Sequence, residues 1–217
     1  MKKVLLLGDS IRQGYQGYVK DKLDGIAEIY FPSENCKFTT NMVRYIYEWA
    51  ADLKLDCDEI DIVHWNAGLW DCLRMEDGEP LVPIDLYEKN IARIQSLINK
   101  AFPNAKSIFA TSTTVSEAMW KLQGKHRSNS EIAQYNEVAK HALSSYGVTI
   151  NDLYALVSPL PDSYHSDATH FCTPEARMLI GDQVVNHILD ALEIEGILQP
   201  VRRREHQRAL KPPNPLP

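Results

Sequence analysis

An α/β sandwich of three layers around a largely parallel sheet is the fold this sequence predicts. Three observations carry that reading. Short apolar runs alternate along the chain with longer stretches of helical periodicity. The first run, Val4-Leu5-Leu6-Leu7, has no polar position, as expected of a central strand buried on both faces. No repeat or shift in composition divides the 217 residues before the C-terminal end, so residues 1–198 read as one domain with a substantial core.

Gly8, Asp9 and Ser10 break the first run and place a hydroxyl where a strand gives way to a helix. Ligands of open α/β sheets bind beyond the carboxyl ends of the strands, so Ser10 stands where a nucleophile would be useful. The ordinary reading of the same tripeptide is a turn with a helix N-cap. Residues 11–23 follow as a helix, with Tyr15, Tyr18, Val19 and Leu23 on one face. Residues 26–31 form a second strand and 32–39 a loop. Thr39 or Thr40 is then placed to cap a helix carrying Val43, Ile46, Tyr47, Ala50 and Leu53 at the helical period.

The third strand, 59–65, runs into Asn66-Ala67-Gly68-Leu69-Trp70-Asp71. A polar loop with Gly78, Pro80 and Pro83 leads to an amphipathic helix over 84–102. Residues 105–110 are the fourth strand, followed by a Thr/Ser-rich loop to about residue 124. A helix over 130–146 precedes a short fifth strand at 148–150, and Asn151-Asp152 caps a helical turn reaching Val157. The loop 158–171 carries Asp167-Ala168-Thr169-His170. Thr173, with Pro174 at the first helical position and Glu175 behind it, opens a last helix to about residue 192.

Composition removes several classes of function. A formal charge of −6 argues against nucleic acid as the main partner, because phosphate binding needs clustered positive charge. The charge is uneven: from Pro200 onward there are five Lys/Arg and one acid, leaving +4 there and −10 in the rest. With five of the twelve prolines in the same stretch, residues 199–217 read as a basic, solvated tail. Cys36, Cys57, Cys72 and Cys172 form no Cys-x-x-Cys pair, which suggests reduced thiols and no zinc framework. Four apolar residues before Gly8 are too few for a signal sequence, and no run approaches membrane-spanning length. A cytoplasmic protein without membrane contact is expected.

A serine nucleophile needs a base for its proton, a carboxylate to hold the base and donors for the oxyanion. Asp167 and His170 lie three residues apart in one loop, a spacing at which one turn sets the carboxylate against the imidazole. Alone, such a pair could equally be a cap or a surface contact. Its conjunction with Gly8-Asp9-Ser10 and Asn66-x-Gly68-x-x-Asp71 is more specific. No Gly-x-Ser-x-Gly, phosphate-loop, dinucleotide-binding or His-Glu-x-x-His pattern competes with it.

On these residues the sequence resembles the SGNH hydrolases, the GDSL-type esterases and lipases, over about residues 3–190. The resemblance implies a flavodoxin-like sandwich on a parallel five-stranded sheet. It also implies Ser10 as nucleophile, His170 as base, Asp167 as its orienting carboxylate, and ester or thioester hydrolysis without metal or organic cofactor.

Two departures from the family pattern stand out. The second block usually has a glycine whose N–H binds the oxyanion. The matching position is Lys37 by register from Asn35 and Thr39, with Thr40 as the alternative. The third block is usually Gly-x-Asn-Asp, but here Trp70 replaces the asparagine between Gly68 and Asp71, and Asn66 is the available amide. The expected oxyanion donors are therefore Ser10, Lys37 and Asn66.

The Asn-x-Gly-Leu-aromatic-Asp block and Glu34-Asn35-Cys36 resemble a carbohydrate-esterase branch of the family. That branch implies an O-acetyl or similar ester on a carbohydrate as substrate. Asp9, Asn35, Trp70, Asp71 and Phe171 are the candidate substrate-binding residues. Trp65 and Tyr164 are further aromatics near the site, although aromatics more often simply pack. His165 is a rival base with a poorer partner pattern, and His64 reads as a core histidine. The alternatives are a lysophospholipase or thioesterase of the same family, and a binding module that kept the fold without turnover.

Overall fold

A computed structural model describes residues 1–122 and 127–194; the tail expected from residue 199 lies outside these. Five strands form one sheet: β1 (Lys2–Leu7), β2 (Ala27–Tyr30), β3 (Ile62–Asn66), β4 (Lys106–Ala110) and β5 (Thr149–Asn151). All four pairings are parallel, and the spatial order is β2-β1-β3-β4-β5. That is the flavodoxin-like order, with its switch point between β1 and β3, where ligands bind at the carboxyl ends.

β1 and β3 are the central strands, and Val4–Leu7 and Ile62–Asn66 are buried throughout, as expected of the apolar run in β1, while β3 buries two polar residues, His64 and Asn66, beside Ile62, Val63 and Trp65. Leu6 is in register with His64 and Leu7 with Trp65, so the two strands end side by side. His64 therefore lies inside the core, between Tyr15 Oη at 3.5 Å and Asn151 Nδ2 at 3.2 Å. Burial, with a lesser push from His187, drives its pKa down to about 3, so the ring is neutral.

Helices cover both faces. One layer pairs α1 (Ser10–Lys22) with α7 (Pro174–Ala191); the other contains α2 (Thr39–Asp52), α3 (Ile84–Ala101) and α5 (Asn129–Leu143). Gly181 permits the close α1–α7 crossing, since a Cβ there would fall 2.3 Å from Tyr18 Cδ1. Tyr18 closes the contact by donating to Asp182 Oδ1 at 2.6 Å.

Three details differ from the sequence-based expectation. The third strand starts at Ile62 because Cys57–Glu59 forms a 3-10 turn, capped by Asp56 Oδ1 accepting from the Asp58 N–H at 3.2 Å. The Thr/Ser-rich loop contains a short helix, α4 (Glu117–Leu122). Neither Thr39 nor Thr40 caps α2: Phe38 occupies the cap position without a side-chain bond, and Thr39 is the first helical residue. Elsewhere local chemistry holds. Thr173 Oγ1 accepts from Ala176 N–H at 3.2 Å to start α7, and Asp152 Oδ1 accepts from Ala155 N–H at 3.0 Å to start α6 (Leu153–Val157).

Candidate active site

The site is assembled at the carboxyl ends of β1, β3 and β4, where three loops converge on the first turn of α1. Asp9 is the N-cap of α1 and accepts from Ile11 N–H at 2.9 Å, which leaves Ser10 as the first helical residue with a partly exposed side chain. Ser10 Oγ lies 2.8 Å from His170 Nε2. On the other side of the ring, His170 Nδ1 lies 2.8 Å from Asp167 Oδ2 and 3.0 Å from Oδ1. Asp167 Oδ1 also accepts the backbone N–H groups of Thr169 at 2.7 Å and His170 at 2.8 Å.

Partial burial acts to raise the Asp167 pKa. The two N–H donors and the imidazole outweigh it and hold the carboxyl below its ordinary value. The carboxylate stays ionised against the ring, and the ring presents Nε2 to the serine.

Neighbouring loops fix the segment that carries this pair. Ser116 N–H donates to Ala168 O at 3.0 Å, and Ser166 donates to His170 O through both its N–H (2.7 Å) and its hydroxyl (3.0 Å). His165 is buried, 3.4 Å from Thr114 O through Nε2, with its ring 4.0 Å from that of Phe171. His165 and Phe171 thus pack against each other beneath the loop. The sequence-based assignment of Phe171 to substrate contact gives way to this core role, because only 3% of its surface is exposed.

Asp9 and Asp71 are likewise inaccessible to a ligand, with exposures of 0% each. Asp9 Oδ1 accepts from Asn66 Nδ2 at 2.9 Å as well as from Ile11. Asp71 Oδ1 accepts the backbone N–H of Thr39 at 3.0 Å and its hydroxyl at 2.5 Å. Burial pushes the Asp71 carboxyl up to about 6 despite these bonds, and burial raises Asp9 as well. Both act through the groups they hold. Trp65 is fully buried and donates to Gln95 Oε1 at 3.1 Å, whereas Trp70 is partly exposed.

Lys37 adopts φ 58°, the left-handed conformation that glycine takes readily, and its side chain is exposed. Its N–H donates to Asn35 Oδ1 at 2.7 Å in a tight turn, and the next residue back, Cys36, donates its N–H to Gly8 O at 3.0 Å. The second-block loop is thereby pinned to the end of β1. Gly68 is required by space: at φ 136° a Cβ would fall 2.7 Å from Ser112 Oγ and 2.9 Å from Tyr87 Oη. Asn66 leans on Gly8, where a Cβ would come 1.9 Å from Asn66 Oδ1. Cys36 and Cys72 are not competing nucleophiles, since burial lifts their thiols to about 11 and about 12.

Two arginines carry roles that the sequence does not signal. Arg12 is fully buried and donates to three carbonyls: Gly8 (3.3 and 3.4 Å), Pro32 (2.9 Å) and Glu34 (2.6 Å). It ties the Gly8–Ser10 turn to the loop after β2, but lies in a stretch with ordinary helical periodicity. Arg127 emerges from the loop after β4 and reaches Thr169 Oγ1 at 3.4 Å. No motif marks it. Among the described residues the buried side-chain atoms without a hydrogen-bond partner belong to Asp9, Asn66, Asp71, Thr113, Trp120, Arg127 and His165. Of these, Asp9 and Asn66 belong to the hydrogen-bonded group beside Ser10, and Asp71 lies in the loop after β3.

No protein-family model and no curated protein matches the sequence. Solved structures do match it. A lipase/acylhydrolase from Enterococcus faecalis is 18% identical, over 87% of this chain and 95% of that one, with a TM-score of 0.69. The acetyl xylan esterase AlAXEase is 16% identical, over 86% and 99%, with a TM-score of 0.67. A carbohydrate esterase family 3 structure from Talaromyces cellulolyticus is 16% identical, over 89% and 99%, also with a TM-score of 0.67. The chain therefore shares its fold with these lipase, GDSL-like lipase and carbohydrate esterase structures. Among the described residues no helix is long and apolar enough to cross a membrane.

Proposed function

We propose that this protein is a serine ester hydrolase that removes a small acyl group, such as acetyl, from a carbohydrate. The observation that carries the reading is the continuous line of hydrogen bonds from Ser10 Oγ through His170 to Asp167. In it, a hydroxyl is joined to a base whose second nitrogen is held by an ionised carboxylate. The acetyl xylan esterase and the family 3 carbohydrate esterase among the similar structures support the choice of substrate class.

In the first half-reaction His170 Nε2 takes the Ser10 proton as Oγ bonds to the ester carbonyl carbon. The imidazolium, steadied by Asp167, then protonates the departing alcohol as the C–O bond breaks and the acyl-enzyme forms. Water adds to the acyl carbon with His170 again accepting the proton, and the acid leaves as Oγ regains its hydrogen. The oxyanion is bound by the N–H of Ser10 and by the Asn66 amide, whose Nδ2 keeps a second hydrogen beside the one given to Asp9. The expected Lys37 donor drops out, because its one N–H is taken by Asn35 Oδ1 at 2.7 Å. Asn35 shapes the Lys37 turn, and the partly exposed Trp70 offers surface to a sugar ring. The reaction needs neither metal nor organic cofactor.

A fluorophosphonate probe tests the nucleophile directly. The expected result is labelling at Ser10, lost in both Ser10→Ala and His170→Ala, with hydrolysis of p-nitrophenyl acetate falling by about 10⁶-fold in each. A folded Ser10→Ala enzyme keeping a tenth of the activity would overturn the mechanism.

A further inference from the structure

Ser10 and His170 border a narrow crevice of about 10 Å³ between α1 and the start of α7, to which the reaction above gives no role. Ile11, Gly14, Cys172 and Ile180 stand along it, and the exposed Arg177, which donates to Cys172 O at 3.4 Å, borders it as well. A space of that size takes a single group as small as a water molecule or a methyl. The surfaces that Ile11, Gly14, Cys172 and Ile180 supply are uncharged and largely apolar, so a methyl suits them better than a water, which needs polar partners.

Gly14 stands one turn after Ser10 on the same face of α1, inside the helix, where glycine costs stability relative to alanine. The backbone does not demand glycine there, because its φ is not positive. Packing does not demand it either. A Cβ would come no closer to a neighbour than 3.6 Å, at Cys172 Sγ, which is an ordinary contact. Gly181 is the contrasting case, since a Cβ there would fall 2.3 Å from Tyr18 Cδ1. What the missing Cβ of Gly14 leaves is open space beside the reacting hydroxyl.

An acyl carbon bonded to Ser10 Oγ carries three further groups in the tetrahedral intermediate. The oxyanion turns to the Ser10 N–H and the Asn66 amide, and the departing alcohol to His170 Nε2. We propose that the third group, the acyl chain, enters this crevice, and that Gly14 and Cys172 restrict it to the methyl of an acetyl ester. A sugar does not fit a space of one methyl, so size assigns the crevice to the acyl side of the ester and not to the alcohol. This rests on the esterase reading above and specifies the residues that select its acyl group.

The test is a series of p-nitrophenyl formate, acetate, propionate and butyrate. Wild-type kcat/KM is expected to fall by about tenfold or more from acetate to propionate, the worth of one methylene in a fitted apolar pocket, and further to butyrate. Gly14→Ala puts a methyl into the crevice. It should lower kcat/KM for acetate by about tenfold to a hundredfold and leave formate, which has no methyl to place, nearly unchanged. Cys172→Ala removes the sulfur and should raise propionate relative to acetate.

Gly17→Ala is the control, because Gly17 is exposed on the same helix and a Cβ there would have nothing within 4 Å. Both glycine-to-alanine changes improve helix propensity alike, so both variants should melt no lower than wild type, and only Gly14→Ala should change the acyl series. Fluorophosphonate labelling at Ser10 together with rates that stay level from acetate to butyrate overturns the acyl crevice and leaves the esterase reading standing. A Gly14→Ala enzyme that keeps the wild-type ratio of acetate to formate does the same. Absence of labelling at Ser10 overturns the esterase reading, and the crevice assignment with it.

Discussion

Asp9 and Asn66, 57 residues apart, join the start of α1, where Ser10 stands, to the end of β3. The Asp9 Oδ1 that accepts from Ile11 N–H at 2.9 Å accepts from Asn66 Nδ2 at the same distance. The carboxylate thus orients the amide beside Ser10 while capping the helix on which Ser10 stands. In the proposed mechanism one N–H of Asn66 is held by Asp9 and the other serves the oxyanion.

That arrangement sets the first prediction. Asn66→Ala should lower kcat by about 10²–10³ with KM nearly unchanged, since the donor acts mainly in the transition state. Steady-state kinetics on an acetyl ester, with a melting curve to confirm folding, measures this. A folded variant within about threefold of wild type would mean that Asn66 serves only to tie Asp9 to β3.

Asp167→Asn isolates the orienting carboxylate. The substituted side chain can still accept the N–H groups of Thr169 and His170 through its carbonyl oxygen, so the loop should keep its shape. It no longer stabilises an imidazolium or holds the correct tautomer. The expected loss is about 10⁴-fold in kcat, against about 10⁶-fold for His170→Ala. Equal losses in the two variants would show that the carboxylate does more than orient and stabilise the ring.

Asp71 predicts a pH dependence of stability. Its folded pKa, raised by burial to about 6, exceeds the ordinary carboxyl value, so between about pH 4 and 6 the folded state holds a proton the unfolded state has released. Stability from this group therefore falls as pH rises through that window. Asp71→Asn removes the titration and leaves an oxygen to accept from Thr39. The variant should gain on wild type by an amount of order 2 kcal/mol between pH 4 and 7, read from urea unfolding at each pH. A stability difference that does not change with pH would contradict the raised pKa.

Gly68→Ala should damage the fold rather than the chemistry directly. The added methyl meets Ser112 Oγ and Tyr87 Oη at 2.7 and 2.9 Å, in a backbone region L residues rarely adopt. Together these should cost about 2–4 kcal/mol in denaturant unfolding. A loss under about 0.5 kcal/mol would show that the loop after β3 relaxes freely.

Much of this protein is legible in its residues because the signals are local. The alternation of strand and helix, the Gly8-Asp9-Ser10 break, the Thr173-Pro174-Glu175 helix start and the three-residue spacing of Asp167 and His170 each depend on neighbours along the chain. Short-range sterics and hydrogen bonds suffice to produce them. From these the layer architecture followed, and so did the end of the sheet at which Ser10 and His170 could meet.

What the sequence could not express was pairing between distant segments. Thr39 reads as a cap, yet it is held by Asp71, 32 residues on, because the β1–β3 register brings the two loops together. Phe171 and Asp71 read as ligand contacts and lie inside. Arg127 carries no motif and gains its place only when the loop after β4 packs on the one bearing His170. Local propensity specifies elements within a few residues; burial and charge compensation are decided by which elements the sheet sets side by side, and those appear only in the folded chain.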